Sequence, residues 1–547
     1  MNLLDTPWIP VRRSDGSRTL IRPAEIADSD NPPVALDSPR ADFNGALAQF
    51  LIGLLQTCYA PIDDGEWEDR LEQPPLVAAL DQAFARYHDA FEVDGEGPRF
   101  MQDYEALEKS LTGQKLKNAT KPIEWLFIDA PTENTLENNA DHFVKRGHVE
   151  ALCPACAVTA LFTLQINAPA GGKGQMSSIR STNKEKNAGK YSPGQGALTT
   201  LVALDPEGSC LPDTLWHHLW LNVLPQTVPL TGNPKLSGPE HIFPWLAPTR
   251  TSEKGQSVTP EDAHPYQMYW AMPRRIRLDF GDTKEGDCDL CGRRDRLLLR
   301  YVTLNYGINY AGAWRHPMTP YVERSEGKPL PLHPQPGGIT YRHWIGLIYE
   351  EPEGQKRLTP AIVVREFQRK KLPEEQFRLW AFGYDMDNMK PRCWYEAILP
   401  LYRVPEEIRP DFTKRVAQLI EAAEYVAGLL KRQVKEAWFK RPGDVKEDVG
   451  FLADGFYQHT EADFYACLPR LIDALAQGKD PEVLQGWHAT LTRAALELFD
   501  EWTGSDEIAF ADPARVARAC DNLRKQLYGA RLARILTLPK KPKEKAA

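Results

Sequence analysis

The strongest periodic signal lies in the last quarter of the chain. Between 412 and 439, Val416, Leu419, Ile420, Ala423, Val426, Ala427, Leu430 and Val434 recur at three and four residues, which marks one face of a long helix. Similar spacing predicts helices over 463–476, 481–502 and 513–536. Pro481 and Pro513 each follow an aspartate, Asp480 and Asp512, a pairing that suits a cap followed by a first turn. Four amphipathic helices joined by short or moderate loops predict a four-helix bundle.

The chain before it has a different texture. Phe43, Ala46, Leu47, Phe50, Leu51, Leu54 and Leu55 also keep helical spacing, and Asp42-Phe43-Asn44 could cap that helix. The stretch 107–120 is polar and carries Lys109, Lys115 and Lys117. Short β-like runs follow at 125–128, 161–164 and 297–304, between loops rich in glycine and proline. No fixed-period repeat and no heptad pattern is present. The expectation is an α+β protein: a large, irregular mixed domain over 1–403, carrying a four-cysteine zinc site, and an all-α four-helix bundle with a basic tail over 404–547.

Composition changes this picture only in places. At 547 residues the chain is too long for one ordinary core. With 42% hydrophobic and 26% charged residues, it is not a largely disordered one. The 45 prolines and 37 glycines fit the irregular first part. The formal net charge of −9 argues against a polyanion partner until it is divided along the chain. From Pro513 onward ten bases (Arg515, Arg518, Arg524, Lys525, Arg531, Arg534, Lys540, Lys541, Lys543, Lys545) face two acids, a net of +8 that leaves −17 for the preceding 512 residues. A second basic stretch at 171–196 holds Lys173, Arg180, Lys184, Lys186 and Lys190 against Glu185. Either run alone reads as a solvated face or tail, whereas two on an acidic chain favour contact with a polyanion.

The segments 43–60 and 151–172 are uncharged, but polar residues or prolines interrupt both, so neither predicts a membrane span. Met1-Asn2-Leu3-Leu4-Asp5 does not resemble a secretory signal, and the expectation is a soluble, cytoplasmic protein. Nine cysteines in such a chain do not suggest a disulfide framework.

Four of those cysteines form two pairs, Cys153-Pro154-Ala155-Cys156 and Cys288-Asp289-Leu290-Cys291. Each Cys-x-x-Cys turn offers two thiolates at the bite of one tetrahedral ion, and two turns close a structural zinc site with no open position for catalysis. Gly292 suits the tight turn of a knuckle. The 131 residues between the pairs require assembly from distant parts of one domain. A redox dithiol is the rival reading, but neither pair lies in a thioredoxin-like setting.

Other candidates are weaker. Gly171, Gly172, Lys173 and Gly174 lack the ending of a phosphate-binding P-loop, but their backbone could approach a partner closely. In the polar turn 383–392, Asn388 could meet base edges or phosphates and Met389 could wedge between bases. A mobile loop and a plain turn are the plainer readings. His217-His218 and His316 form no catalytic constellation, no hydrolase or metalloprotease motif occurs, and no enzyme activity is evident.

These pieces occur together in an order that is specific. Asn2 through Val11, Glu150-Ala151-Leu152-Cys153 through Leu161-Phe162, the glycine loop after Ala168-Pro169, the Cys288/Cys291 knuckle, Trp314 to Pro317 and Gly383-Tyr384 resemble the CasA family, large subunits of the type I-E CRISPR complex Cascade. The resemblance implies a non-enzymatic subunit of an RNA-guided surveillance complex. Such a subunit examines duplex DNA for the protospacer-adjacent motif, promotes duplex opening and R-loop formation, and recruits the helicase–nuclease in antiviral defence. Its implied partners are the CasB small subunits, the CasC backbone, CasD at the guide's 5′ handle, the guide crRNA, double-stranded target DNA and the helicase–nuclease. Carried onto this chain, Gly171, Gly172 and Gly174 occupy the loop that probes the minor groove. Asn388, Met389 and Lys390 fall in a wedge hairpin, Met389 standing where relatives can carry glutamine. Asn305 is the nearest polar match to a motif-contacting lysine, and Phe127 with the loop up to His148 matches the segment that docks onto the complex. The charge asymmetry adds Arg524, Lys525, Arg531 and Arg534 as nonspecific nucleic-acid contacts. A zinc-stabilised scaffold that binds only proteins is the alternative, and an enzyme with catalytic zinc or redox thiols comes third.

Overall fold

The structure is a computed structural model. It describes the chain except residues 132, 138–146, 170, 172–173, 182–195, 325–327, 351–355, 371, 373–375, 388–389, 505–511 and 539–547, and except the side chains of 133–134, 324, 356, 387 and 390. Two compact units result, one of Met1–Gln335 with Leu358–Ile398, the other of Pro336–Arg357 with Leu399–Ala547.

The mixed unit is built around helix α1 (Ala41–Cys58). The spacing of its leucines predicts one apolar face, but it is buried almost all round, including Gln49, Gln56 and Thr57. The polar groups are satisfied: Thr57 donates to the Gly53 carbonyl at 2.7 Å, Gln49 donates to that of Gly45 at 3.0 Å, and Gln56 exchanges bonds of 2.9 and 2.8 Å with the Leu224 backbone. Phe50, on its central turn, meets Trp8, Phe91, Phe100, Phe162 and Trp270 edge-on at centroid distances of 5.2–6.0 Å, the geometry in which ring quadrupoles attract. Asp42 does not cap the helix. Arg40 holds the cap position, and Asp42 lies buried in the first turn.

Around α1 lie small antiparallel sheets. Strands β1 (Ile9–Arg13), β2 (Arg18–Ile21) and β3 (Pro33–Leu36) order as β2-β1-β3. β9 (Arg300–Leu304) pairs on one side with β4 (Thr120–Pro122) and on the other with β6 (Arg275–Leu278). β7 (Thr283–Asp287) and β8 (Arg294–Leu298) form a hairpin. A longer hairpin, β10 (Phe377–Asp387) and β11 (Lys390–Leu401), is joined through β10 to β5 (Thr199–Leu204).

The run 297–304 is therefore strand, as its residues predict, divided between β8 and β9. The other two β-like runs are not strand. Residues 125–128 overlap a 3-10 turn, Ile123–Leu126, whose buried Ile123 and Leu126 stand three apart. Residues 161–164 lie inside helix α2 (Pro154–Asn167), which is buried on nearly every side. A four-residue apolar window cannot separate a core strand from a helix that has no polar face.

The helical unit contains α3 (Arg409–Trp438), α4 (Phe451–Gln477), α5 (Asp480–Thr503), α6 (Pro513–Leu527) and a short α7 (Ala530–Ile535), and α3 packs against all four others. Trp487 is fully buried and donates its indole N–H to the Leu419 carbonyl at 3.0 Å. α4 begins twelve residues before the expected start and runs through Pro469. That proline cannot donate to the Tyr465 carbonyl, which accepts instead from the Tyr402 hydroxyl at 3.3 Å. Gly478, at φ +69°, ends the helix in the left-handed conformation. Asp512 caps α6, accepting from the Arg515 N–H at 3.0 Å. Asp480 is the first helical residue of α5 rather than its cap, and it pairs with Arg415 at 2.6 Å. The single helix expected over 513–536 breaks at Tyr528-Gly529. The segment 336–357 joins this unit through Tyr341, whose hydroxyl bonds Thr460 at 2.8 Å and whose ring stacks on Phe464 at 4.4 Å. Among the described residues, no helix is long and apolar enough to cross a membrane.

Candidate metal centre and loop-bearing helix

Helix α2 links the candidate sites of the mixed unit. Fourteen residues long, it spans about 21 Å. Its first turn carries one cysteine pair, its flank supports the long hairpin, and its last residue leads to the glycine loop.

At the N-terminal end, Cys153 is the cap residue and its Sγ accepts from the Cys156 N–H at 3.5 Å. Cys288 and Cys291 occupy the turn of the β7–β8 hairpin, where Gly292 at φ +70° donates to the Cys288 carbonyl at 2.8 Å. The separation in sequence is bridged by backbone and carboxylate bonds. Leu152 and Leu298 exchange N–H···O bonds of 3.0 and 2.7 Å, and the Asp289 carboxylate accepts from the N–H groups of Glu150 and Ala151 at 2.8 and 2.7 Å. The four sulfurs all lie within 4.8 Å of one another, with Cys153 and Cys291 at 3.7 Å. A metal–sulfur bond of about 2.3 Å in a tetrahedron requires edges of about 3.8 Å, so this set could hold one metal ion. Hydrogen bonds from Cys153 and Cys156 lower Cys288, one from Cys156 lowers Cys291 to about 6, and the bond to Cys153 pushes Cys156 up.

At the C-terminal end, Gln165 fastens the helix. Its amide donates to the carbonyls of Met101 and Arg274, both at 3.0 Å, and accepts from the Arg274 N–H at 2.9 Å. The Arg274 guanidinium then holds both ends of the glycine loop, donating to the Pro169 carbonyl and to the side-chain oxygen of Gln175. Burial lowers the Arg274 pKa to about 10, so it remains cationic at neutral pH. Gln175 also donates to Asn305 at 2.8 Å, and the Gly174 carbonyl accepts from the Tyr306 N–H at 2.7 Å. Gly174 has φ +80°, and a Cβ there would sit 2.9 Å from that of Asn305. The structure thus brings Gly171, Gly174 and Asn305 to one place. Gly172 and Lys173 lie outside the described residues.

On the flank of α2, Leu164 packs with Ile128, Tyr384, Met386 and Trp394 at the root of the β10–β11 hairpin. The Tyr384 hydroxyl donates to the buried Asp42 carboxylate, which also accepts two bonds of 2.9 Å from Arg40. Arg40 reaches Asp129 at 3.0 Å and lies over the Phe127 ring, 4.8 Å from its centroid. These carboxylates raise the Arg40 pKa although its burial opposes the shift. Phe127 is itself buried, so in this structure it packs beneath Arg40. Asn388 and Met389 lie outside the described residues, and Lys390 opens β11.

The basic stretches divide unevenly. Arg180 belongs to the core, donating to Thr199 and Gln49 at 2.7 Å each, and is no surface cation. Arg515 turns inward to the Ala437 carbonyl at 2.9 Å. Arg518, Arg524, Lys525, Arg531 and Arg534 are exposed. His217 and His218 take separate partners, Thr214 and Asp213, and His316 is buried beside Tyr269. Sequence reasoning missed Arg274, Gln165 and the Arg40–Asp42–Tyr384 group. Asp42 on α1 and Gln165 on α2 are polar residues in apolar surroundings, the one signal that could have pointed to these groups.

The sequence profile of the CRISPR-associated protein Cse1 family matches residues 2–498. The chain belongs to that family. Its fold is similar to that of Thermobifida fusca Cse1, at 18% identity and a TM-score of 0.69 over 98% of each chain. It is also similar to Thermus thermophilus CasA (Cse1), at 17% identity and 0.63 over 98% of this chain and 99% of that one. A chain of a CRISPR RNA-guided surveillance complex matches at 16% identity and 0.64, over 97% of this chain and 99% of that one. The resemblance to CasA large subunits is borne out, as is the mixed fold that ends in a helical bundle.

Proposed function

We propose that this Cse1-family chain is the non-catalytic large subunit of a type I-E Cascade complex, reading the protospacer-adjacent motif in duplex DNA and supporting R-loop formation. The observation that carries this reading is the fastening of the glycine loop by Arg274 and Gln175 within a family member. A loop that is to enter a narrow groove must present backbone without side chains and stay positioned before contact. Gly171, Gly172, Lys173 and Gly174, with Asn305 beside them, probe the motif, and Asn388, Met389 and Lys390 wedge the adjoining base pairs. The loop that follows Phe127 docks the subunit near CasD and the 5′ handle of the guide crRNA. The CasB and CasC subunits complete the assembly, and the helicase–nuclease is recruited to it. Cys153, Cys156, Cys288 and Cys291 would hold zinc, which fastens the β7–β8 hairpin to α2 and takes no part in chemistry.

The test is target binding by the reconstituted complex with and without this chain, on duplexes bearing intact or altered motifs. Motif discrimination should require the chain. Discrimination that survives its omission would leave a protein-binding scaffold as the better reading. Nuclease recruitment is checked separately, by capture of the helicase–nuclease on target-bound complex.

A further inference from the structure

Tyr528 stands at the break between α6 and α7, where a large aromatic side chain gains nothing from burial. It is 68% exposed. The other exposed large aromatics among the described residues have different settings: Tyr104 is flanked by Asp103 and Glu105, and Phe451 stacks on Trp438 at 6.2 Å. Tyr528 instead has exposed cations on both sides in sequence. Its N–H bonds the Arg524 carbonyl at 3.1 Å, so helical spacing persists and places Arg524 and Lys525 one turn behind it on the same face. Arg531 and Arg534 follow on α7, with Arg531 held 4.8 Å over the Tyr425 ring. Asp521 is the sole acid within α6. His488 bonds the Leu527 carbonyl at 3.1 Å and lies 6.2 Å from the Tyr528 ring, which steadies one edge of it.

We propose that Tyr528 is a stacking platform for an unpaired base of single-stranded DNA whose phosphates are drawn to Arg524, Lys525, Arg531 and Arg534. An aromatic face accepts any base, and flanking cations track the backbone, so the pair of features binds single strands without reading sequence. A duplex keeps its bases stacked inside and offers nothing to the ring. In the proposed function such a strand arises when the target is opened, and the inference rests on that reading.

The full chain is titrated with a single-stranded 20-mer carrying 2-aminopurine, at several salt concentrations. Native protein and Tyr528→Phe should bind alike and perturb the probe's fluorescence. Tyr528→Ala should bind about tenfold more weakly, lose the fluorescence change and keep the salt slope. Arg524→Ala/Lys525→Ala should retain the fluorescence change and reduce the slope of log affinity against log salt by about 1.4. Native-like binding by Tyr528→Ala, equal weakness in Tyr528→Phe, or no binding by the native chain would overturn the proposal. If Tyr528→Ala has no effect but the double variant lowers the slope, the platform fails and the polyanion role of the bundle stands. If neither variant changes binding, both fall.

Discussion

The N-terminal end of α2 lies in a cluster of four cysteines drawn from two distant segments. Toward its C-terminal end it is fastened by Arg274 with Gln165 and Gln175, through individual hydrogen bonds that also join distant segments, Gln165 and Arg274 lying 109 residues apart. With a metal ion bound, the first arrangement would be all-or-none, because a tetrahedral ion holds its ligands together or releases them. The second is divisible, because each bond can be lost separately at a cost near that of one unsatisfied polar group. The two ends of α2 therefore differ in how they can fail, one as a unit and the other bond by bond.

Breaking the sulfur end should have the largest effect. Cys153→Ser or Cys288→Ser should lose about one equivalent of bound metal and cost roughly 3–5 kcal/mol of stability, read by metal analysis and thermal melting. A metal-free native protein with unchanged melting in the variants would refute the anchor. At the other end Arg274→Met should cost about 1–3 kcal/mol, felt locally. Amide exchange over the flanks of the glycine loop should quicken while the melting temperature moves little. A global loss of stability would show that the two ends are not separable. Gly174→Ala forces a left-handed conformation on alanine and a close contact with Asn305, at roughly 1–2 kcal/mol. Motif-dependent binding should weaken, with motif-independent binding retained. The smallest effect is expected from Asp289→Asn, which keeps an acceptor for Glu150 and Ala151 but loses its charge, at about 1 kcal/mol by denaturant melting. A larger loss would mean that the carboxylate, more than the sulfurs, joins the two segments.

The same contrast governs what could be read from the residues alone. A Cys-x-x-Cys pair declares its chemistry within four positions, and the bundle helices declare themselves by spacing, so both were legible. Arg274 was not, because Met-Pro-Arg-Arg-Ile-Arg looks like an exposed basic strand until the fold turns its guanidinium groups inward, Arg277 among them. Arg180 misled in the opposite sense: it shares a segment with several lysines in the sequence, yet it is buried against Thr199 and Gln49. The strand expected at 161–164 failed because a helix enclosed on all sides loses the polar face that reveals its period. Order along the chain, rather than any local pattern, pointed to the family.

The long hairpin has a further consequence. β5 supports β10 only from Phe377 to Phe382. Beyond that the hairpin is braced near its root, by Tyr384 on Asp42 and by the bidentate Asp385–Arg392 pair at 2.7 and 3.0 Å. These contacts set the register of the two strands at the base of the hairpin, where the β5 ladder no longer does.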